Sequence, residues 1–316
     1  MNILEYEFSD LYLTDKKDMF ITNNKYQNSL EKVDPDDKDE FIERLHSILH
    51  KDSSYSFLYK NTYFRVECSK SITGLLWCLR RMPQEVPSVY DLSLDENFLK
   101  YMLSLSNKSG LILWSGSTGE GKTTSISSLL HEYLSTSGGF AYTIEDPAEM
   151  PLEGEYKASN GSMGFCQQIE VIDDDWKTPL KRALRSHPKY ILIGEIRTSD
   201  AAIECLRASI SGHLVLATIH AGTIADAIHS IVKYAVPQMS EEAAFNTLSR
   251  GLLAVVNQEL YGGIKKEPII DFVFANPDLN SADATRSIIR SGNINLASII
   301  ERQSIRLKQH SPLFEK

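Results

Sequence analysis

Short apolar runs alternate with helix-like segments over most of the chain beyond residue 97. Four of these runs have the length of a strand and end in polar residues or glycine: GLILWSG, FAYTIED, YILIGEI and GHLVLATIH. Such alternation favours an α/β fold with a parallel sheet covered by helices. Ligands bind at the carboxyl ends of the strands in that architecture, so the chemistry is expected there.

The N-terminal part follows another pattern. DLYLTDKKDMFITNN, at 10–24, predicts strand, turn and strand, and SYSFLYKNTYFRVECSK and TGLLWCLRR predict further strands. DPDDKDEFIERLHSILH predicts a capped amphipathic helix, since Phe41, Leu45, Ile48 and Leu49 are at helical spacing. These elements predict a small α/β domain.

A break separates the two patterns. RRMPQEVPSVYDLSLDE, at 80–96, contains Pro83 and Pro87, which disfavour helix. A chain of 316 residues can hold about two domains, each with its own core. We therefore predict an N-terminal domain at 1–82, a linker at 83–97, and a second domain with C-terminal helices at 98–316.

Composition narrows the classes of function. The net charge of −9 argues against a surface that neutralises many phosphates, so no nucleic-acid partner is expected. The N-terminus is acidic where a secretory signal would be basic, and no apolar run approaches 18 residues. Cys68, Cys78, Cys166 and Cys205 form no C-x-x-C motif, which disfavours zinc or a disulfide framework. A soluble cytoplasmic protein is expected.

A phosphate-binding motif follows the first of the four apolar runs. GSTGEGKTTS, at 116–125, fits G-x-x-x-x-G-K-[ST] between a predicted strand and a predicted helix. Its glycines let backbone N–H groups face anionic oxygens, and the helix adds the positive end of its dipole. Lys122 is placed for the β- and γ-phosphates and Thr123 for Mg²⁺. The predicted ligands are therefore ATP and Mg²⁺, and the binding residues are Gly116, Ser117, Thr118, Gly119, Glu120, Gly121, Lys122, Thr123 and Thr124.

Acidic residues end the next two runs. In FAYTIEDPAEM the apolar strand is followed by Glu145, Asp146 and Glu149. A carboxylate at this place can polarise water or orient Mg²⁺. The alternative is an Asp-Pro turn with solvated acids. In KYILIGEIRTSD the apolar strand is followed by Glu195, at the place of a Walker B acid, which would coordinate Mg²⁺ directly or through water.

The fourth run carries two histidines. In GHLVLATIHAGT, His213 precedes the predicted strand, and Thr218 and His220 lie at its end. A single histidine is more often structural than catalytic, but one at a strand end can hydrogen-bond to a γ-phosphate. Three predicted strands with polar ends follow the phosphate loop, and together they indicate a single site more strongly than any one of them does alone.

These segments resemble the secretion-superfamily ATPases, in particular the type IV pilus retraction ATPases of the PilT type in the GspE/PilT family. GSTGEGKTT, TIEDPAE, ALRSHPKYILIGEIR and GHLVLATIHAGT match that family's Walker A, Asp box, Walker B and His box. YFRVECSKSITGLLWCLRRMPQEVPSV is similar to the closing strands of its N-terminal domain. LLAVVNQEL, at 252–260, resembles the helix that follows its core.

The resemblance implies a RecA-like P-loop ATPase core, with a mainly parallel sheet, and an N-terminal PAS-like α/β domain. It implies a homohexamer that works with an inner-membrane pilus platform protein, peripheral to the cytoplasmic face of the bacterial inner membrane. It also implies roles for single residues. These are Glu149 as general base with Glu145 in support, Glu195 at the metal, His213 and His220 as the His-box pair, and Arg65 and Arg80 as arginines for the bound phosphate.

A further segment bears on the direction of work. ATRSIIRSGN, at 284–293, resembles the AIRNLIREGK segment characteristic of retraction ATPases. Half its positions differ, so an ordinary amphipathic surface helix is the alternative.

The chain also departs from the family pattern. The link at 153–176 is longer and more acidic, Ile169 replaces an expected basic residue, and Thr198 replaces the usual Asp. The chain is thus similar to a divergent member, of the bundle-forming-pilus or DotB kind.

The leading hypothesis is a hexameric motor whose ATP hydrolysis powers pilus retraction. The alternatives are a DotB-like ATPase of type IV secretion or conjugative transfer and, from another class, a DNA-stimulated RecA-like ATPase. The acidic balance counts against the DNA-stimulated enzyme. A small-molecule kinase is a further alternative, but the chain contains no recognisable lid for an acceptor site.

Overall fold

The computed structural model describes residues 1–23, 29–47, 53–262 and 266–314. The chain forms two compact units. The N-terminal unit comprises Met1–Glu85, Asp146–Pro151 and Glu170–Asp174, so two short segments from later in the chain group with the first 85 residues. The C-terminal unit comprises Val86–Glu145, Leu152–Ile169 and Asp175–Lys316.

The described part of the N-terminal unit has a six-stranded antiparallel sheet with the strand order β3-β2-β1-β6-β5-β4. One edge strand, β3, was not predicted from the sequence. Four of its five residues are exposed, so it lacks the alternation that marks a half-buried strand. The elements are β1 (Asp10–Thr14), β2 (Met19–Asn23), β3 (Ser29–Val33), α1 (Lys38–Ser47), β4 (Ser54–Tyr59), β5 (Thr62–Ser71) and β6 (Gly74–Arg81).

This sheet has one apolar face and one polar face. Helix α1 covers the apolar face, where Phe41 packs edge-on against Phe57, Tyr59 and Phe64. The predicted helix residues Ile48 and Leu49 lie outside the described residues. The register places Asp10, Arg80, Arg65 and Ser56 side by side across β1, β6, β5 and β4. Directly paired residues share a face, so this row is a polar stripe.

The C-terminal unit is built on an eight-stranded sheet with the order β14-β13-β7-β12-β11-β8-β10-β9. The five strands from β13 to β8 are parallel, which confirms the predicted α/β fold with a mainly parallel sheet. The strands are β7 (Gly110–Gly116), β8 (Gly139–Glu145), β9 (Gly154–Lys157), β10 (Met163–Glu170), β11 (Tyr190–Ile193), β12 (Leu214–His220), β13 (Leu252–Tyr261) and β14 (Glu267–Phe274). The helices are α2 (Glu96–Ser104), α3 (Lys122–Ser137), α4 (Lys177–Arg185), α5 (Ser199–Ser209), α6 (Ile224–Ala235), α7 (Glu241–Gly251), α8 (Ala284–Ser291) and α9 (Ala297–Lys308).

The central strand β7 is buried on both faces. Ile112 and Trp114 pack with Ile126 and Leu130 of α3, while the alternate residue Leu113 is also fully buried. A parallel strand covered on both sides is apolar without alternation, as GLILW is. This burial fixes the strand that leads into the phosphate loop.

The prediction of a helix at LLAVVNQEL is wrong, because this segment is β13. It pairs in parallel with β7 and antiparallel with β14. The helix was implied by the family resemblance, and the residues themselves do not contradict it, because a continuous apolar run has the same appearance in a buried strand as in a buried helix. The long acidic segment at 153–176 also contains secondary structure, since β9 and β10 pair antiparallel within it.

Thr198 begins helix α5. Its side chain accepts a hydrogen bond from the N–H of Ala201 at 3.2 Å, as an N-cap residue does. Asp, the usual residue of the family at this position, caps a helix equally well. The replacement therefore keeps the start of the helix that follows Glu195.

The segment at 284–293 contains α8, which ends at Gly292 in the left-handed conformation with φ 73°. Its two arginines differ in their surroundings. Arg286 is buried and donates to the carbonyls of Ser249 at 2.5 Å, Arg250 at 2.7 Å and Asn276 at 2.9 Å. Arg290 is exposed. Arg286 thus joins the end of α7 to the segment after β14, and Arg290 is the arginine that a partner can reach.

We expect Arg286→Ala to lower the free energy of unfolding by roughly 2–4 kcal/mol, because buried carbonyls lose a charged donor. Arg290→Ala, on the same helix, should change it by less than about 0.5 kcal/mol. Urea denaturation of both variants measures the difference. Equal stability of the two variants would contradict the joining role of Arg286.

Within the part of the chain that the structure describes, no helix is both long and apolar enough to span a membrane.

Candidate active site

The phosphate loop connects β7 to α3 and requires glycine at both of its ends. Gly116 has φ 148°, and a Cβ there would lie 2.3 Å from the carbonyl oxygen of Gln258. Gly121 has φ 72° and is the N-cap of α3. Other residues rarely adopt these conformations, so the sequence sets the shape of the loop.

The nine predicted binding residues are contiguous in this structure, from the end of β7 through the first turn of α3. Ser117, Thr118 and Gly119 are exposed, whereas Lys122 is buried and its Nζ donates to the carbonyl of Ser117 at 2.7 Å. The first N–H groups of α3 have no partner within the helix, and its dipole favours an anion. The loop can therefore bind phosphate.

Three polar side chains meet beside the loop. His220 ends β12 in register with Gly116. Its Nε2 lies 3.5 Å from the Oγ1 of Thr118 and 3.3 Å from the Oε1 of Glu195. The structure thus brings the Walker B acid and the second histidine of the His box to the phosphate loop within the C-terminal unit.

Thr218 fixes the backbone on both sides of Glu195. Its hydroxyl donates a hydrogen bond to the carbonyl of Gly194, and its own carbonyl accepts one from the N–H of Ile196 at 2.8 Å. The carboxylate of Glu195 is therefore presented by a braced turn between β11 and α5. Its side chain keeps 34% of its surface exposed, enough to reach a ligand.

His213 lies at the other edge of the sheet. It precedes β12, is buried, and its Nδ1 is 2.7 Å from the carbonyl oxygen of Pro188. His220 is seven residues further along the chain, and at about 3.3 Å per residue of strand this is about 23 Å. The structure therefore separates the two histidines that the resemblance pairs. His213 ties loops together at the start of the strands and does not reach the phosphate loop of its own chain.

Glu145 lies at the end of β8 and is buried. Its Oε1 accepts hydrogen bonds from the hydroxyl of Thr143 at 2.8 Å and from the amide of Gln168 at 2.9 Å. Gln168 in turn accepts from the N–H groups of Leu152 and Glu153. Glu145 is held inside the fold by this network, which suits a supporting role better than direct contact with water.

The two predicted arginines and the predicted base lie together in the N-terminal unit. Arg65 and Arg80 face each other across β5 and β6, and the Nη1 of Arg65 is 3.4 Å from the Oε1 of Glu149. Arg80 donates to Asp10 at 2.8 Å, and this hydrogen bond raises the pKa of Arg80. Arg80 therefore remains charged, and both arginines are partly exposed.

Glu170 holds the segment that carries Glu149. Its carboxylate accepts from the N–H of Ala148 at 3.3 Å and from the N–H of Ser56 in β4 at 3.1 Å. The sequence alone gives no sign of this role of Glu170, because its hydrogen-bond partners are distant in the chain. The bond to Ser56 attaches the Asp-box segment to the polar face of the N-terminal sheet.

The sequence of this chain matches that of a known protein family. Residues 53–291 match the model of the family described as "Type II/IV secretion system protein". This range covers most of the chain. The chain belongs to the type II/IV secretion system protein family.

The chain is also similar to individual known proteins. It is 28% identical over 237 residues to "Type IV pilus ATPase PilU" of Pseudomonas aeruginosa, covering 73% of this chain and 58% of PilU. It is 29% identical over 234 residues to "Twitching motility protein" of Neisseria gonorrhoeae, covering 73% of this chain and 59% of that protein. The chain thus spans less than two thirds of the length of these relatives.

Solved structures have the same fold. The crystal structure of the pilus retraction motor PilT with bound ADP has a TM-score of 0.72 and 25% identity, over 99% of this chain and 91% of that one. The ATPase DotB of Legionella pneumophila has a TM-score of 0.69 at 16% identity, over 96% of this chain and 84% of DotB. The likeness to DotB concerns the fold alone. The predicted membership of the PilT and secretion ATPase family is confirmed.

The donor set of the C-terminal unit fits Mg²⁺ better than a metal that needs a protein cage. Among the described residues, no group of three or more His, Cys, Asp or Glu side chains is placed to hold a metal ion. Mg²⁺ keeps several waters and takes one or two protein ligands plus phosphate oxygens. Thr123 and Glu195 can supply these ligands in this secretion-family protein.

Proposed function

We propose that this protein is an ATPase motor that powers the retraction of type IV pili. The observation that carries the proposal is the contact of Thr118 in the phosphate loop with His220, which also contacts Glu195. That arrangement puts an acid and a hydrogen-bonding imidazole beside the place where phosphate binds. The similarity to PilT, PilU and the twitching motility protein supports pilus retraction as the task of this motor.

The roles of the residues follow from their chemistry. The loop amides and Lys122 would hold the phosphates of ATP, and Thr123 and Glu195 would hold Mg²⁺. Bound there, Mg²⁺ would supply positive charge that neutralises the phosphate oxygens. His220 donates a hydrogen bond to the γ-phosphate, and Glu195 sets the orientation of its ring.

Hydrolysis needs a base and further positive charge. In our proposal Glu149 accepts the proton of the attacking water, as a general base does. Arg65 and Arg80 stabilise the charge that develops on the transferred phosphoryl group, a role that guanidinium groups fill in phosphoryl transfer. Glu170 positions Glu149 through the N–H of Ala148.

The assembly is part of the same proposal. The protein works as a homohexamer at the cytoplasmic face of the inner membrane, against a pilus platform protein. Its N-terminal domain, at 1–82, is PAS-like, and a linker at 83–97 joins it to a RecA-like core at 98–316. ATP binding and release would move each N-terminal domain, which is how domain closure performs work.

A pilus assay tests the proposed function. In cells whose chromosomal copy carries Glu195→Ala, we expect pili that extend but do not retract, and hence loss of twitching motility. Glu301→Ala, which removes an exposed acid of α9, is the matched control. Normal retraction with Glu195→Ala would refute the pilus assignment. Loss of protein secretion or conjugation, with retraction unchanged, would favour the DotB-like motor.

A further inference from the structure

Gln258, in the strand β13, binds three parts of the C-terminal unit at once. Only 1% of its surface is exposed. Its Oε1 accepts hydrogen bonds from the indole N–H of Trp114 in β7 at 2.9 Å and from the hydroxyl of Ser125 in α3 at 2.8 Å. Its Nε2 donates to the carbonyl oxygen of Glu120 in the phosphate loop at 2.6 Å. One side chain therefore links the strand before the loop, the loop and the helix after it.

The backbone of β13 contacts the loop as well. The N–H of Leu260 donates to the carboxylate of Glu120. The carbonyl oxygen of Gln258 lies only 2.3 Å from the position that a Cβ on Gly116 would take. The loop is thus supported by β13 at its start and near its end.

Asn257 makes a second link on the opposite face of β13. Its Nδ2 donates to the hydroxyl of Ser115 at 3.1 Å and to the carbonyl of Ala221 at 3.2 Å. Ala221 follows His220 directly. Because adjacent residues of a strand point to opposite faces, this dipeptide contacts both the loop and the end of β12.

The bond from Gln258 to Glu120 determines the orientation of one peptide group. In a trans peptide the C=O and the next N–H point in opposite directions. Since the carbonyl of Glu120 is held toward β13, the N–H of Gly121 is directed away from β13. That N–H belongs to the glycine-rich loop whose amides bind phosphate.

We propose that Gln258 is a positioning residue that sets the phosphate loop for nucleotide binding. The inference rests on the proposed function, because it assumes that the loop binds ATP. Gln258 does not touch the nucleotide and acts through the peptide of Glu120. A glutamine is needed because one oxygen accepts two donors while the amide nitrogen donates.

Gln303 provides a matched control. It is also a buried glutamine, and it exchanges two hydrogen bonds of 2.8 Å with the backbone of Phe274. Phe274 pairs with Ala254, four residues before Gln258 and toward the other edge of the sheet. Removing the amide of Gln303 therefore disturbs the fold without removing a contact to the loop.

The test compares Gln258→Glu and Gln258→Met with Gln303→Glu. Gln258→Glu places a carboxylate against the carbonyl of Glu120, and Gln258→Met leaves both donors and that carbonyl without their partner. Ser125→Ala is a milder fourth variant that removes a single bond. For each purified full-length variant, the Kd for ADP is measured by calorimetry, and the Tm is measured without nucleotide.

We expect both Gln258 variants to bind ADP at least about tenfold more weakly, since the loop amides are no longer preorganised. Ser125→Ala should weaken binding less, and Gln303→Glu should lower the Tm with an unchanged Kd. A Kd equal to that of the wild type in the Gln258 variants would overturn the inference. A weaker affinity for ADP in Gln303→Glu, together with its lower Tm, would also overturn the inference, because the affinity would then follow the stability of the fold. Failure of the wild type to bind ADP would instead refute the proposed function.

Discussion

Replacement of Lys122 with alanine should strongly weaken nucleotide binding while the protein stays folded. Lys122 opens α3, is buried, and lies over the loop through its bond to the carbonyl of Ser117. In the proposed site, its ammonium group is the charged donor for the β- and γ-phosphates. Charged hydrogen bonds contribute roughly 1.5–3 kcal/mol each, so the loss of two weakens ATP binding by at least about 100-fold.

Calorimetric titration with ATP measures this effect. Lys189→Ala is the matched control, because Lys189 is also partly buried and its Nζ contacts a backbone carbonyl, that of Gly138, at 3.5 Å. Lys189 precedes β11, at the edge of the sheet away from the phosphate loop, so its variant should bind ATP as the wild type does. Equal affinities for Lys122→Ala and Lys189→Ala would show that the loop does not hold the nucleotide.

Glu149→Gln should stop turnover without preventing binding. Glutamine keeps the shape of the side chain but cannot accept the proton of the attacking water. Loss of a general base costs about 10²–10⁴-fold in rate, and the phosphate-binding groups of the C-terminal unit are unchanged. We therefore expect a normal affinity for ATP and almost no phosphate release.

Glu67→Gln is the control for charge near the arginines. Glu67 lies 3.9 Å from Arg65, on the same strand, and is about as exposed as Glu149. If Glu149 only balanced the charge of Arg65, the two variants would lose similar amounts of activity. A large loss in Glu149→Gln alone identifies a base, and full turnover in that variant would rule out this role.

The parallel sheet and the phosphate loop could be predicted because their signals are local. GLILWSG and YILIGEI are apolar runs that end in glycine or acids, and burial on both faces requires such runs. The loop motif is a string of glycines whose backbone angles only glycine adopts readily. Glu195 and His220 followed from the rule that chemistry lies at strand ends.

Other features could not be predicted because their causes lie far away in the chain. Strand β13 is a strand because β7 and β14 flank it, and its apolar sequence alone also fits a helix. Gln258, Gln168 and Glu170 bond to residues more than a dozen positions away. The sequence did contain one indication of the role of Gln258. Asn257 and Gln258 directly follow an apolar run, so two amide side chains are expected to be buried there and to need hydrogen-bond partners.

His213 shows a different limit. A motif gives the order of residues but not the distance between them, and the strand between His213 and His220 places them at opposite edges of the sheet. Arg286 shows the same limit. Its helix has the sequence of a surface helix, so the sequence does not reveal that this arginine is buried and donates to three carbonyls.

The proposed motor must hydrolyse ATP, and this activity is measured as phosphate release from ATP by the purified wild-type protein. The assay is run with Mg²⁺ and with EDTA, and Lys122→Ala sets the background. We expect phosphate release that requires Mg²⁺ and disappears in Lys122→Ala. Release by the wild type no greater than that of Lys122→Ala, from protein that is folded and binds ATP, would contradict it.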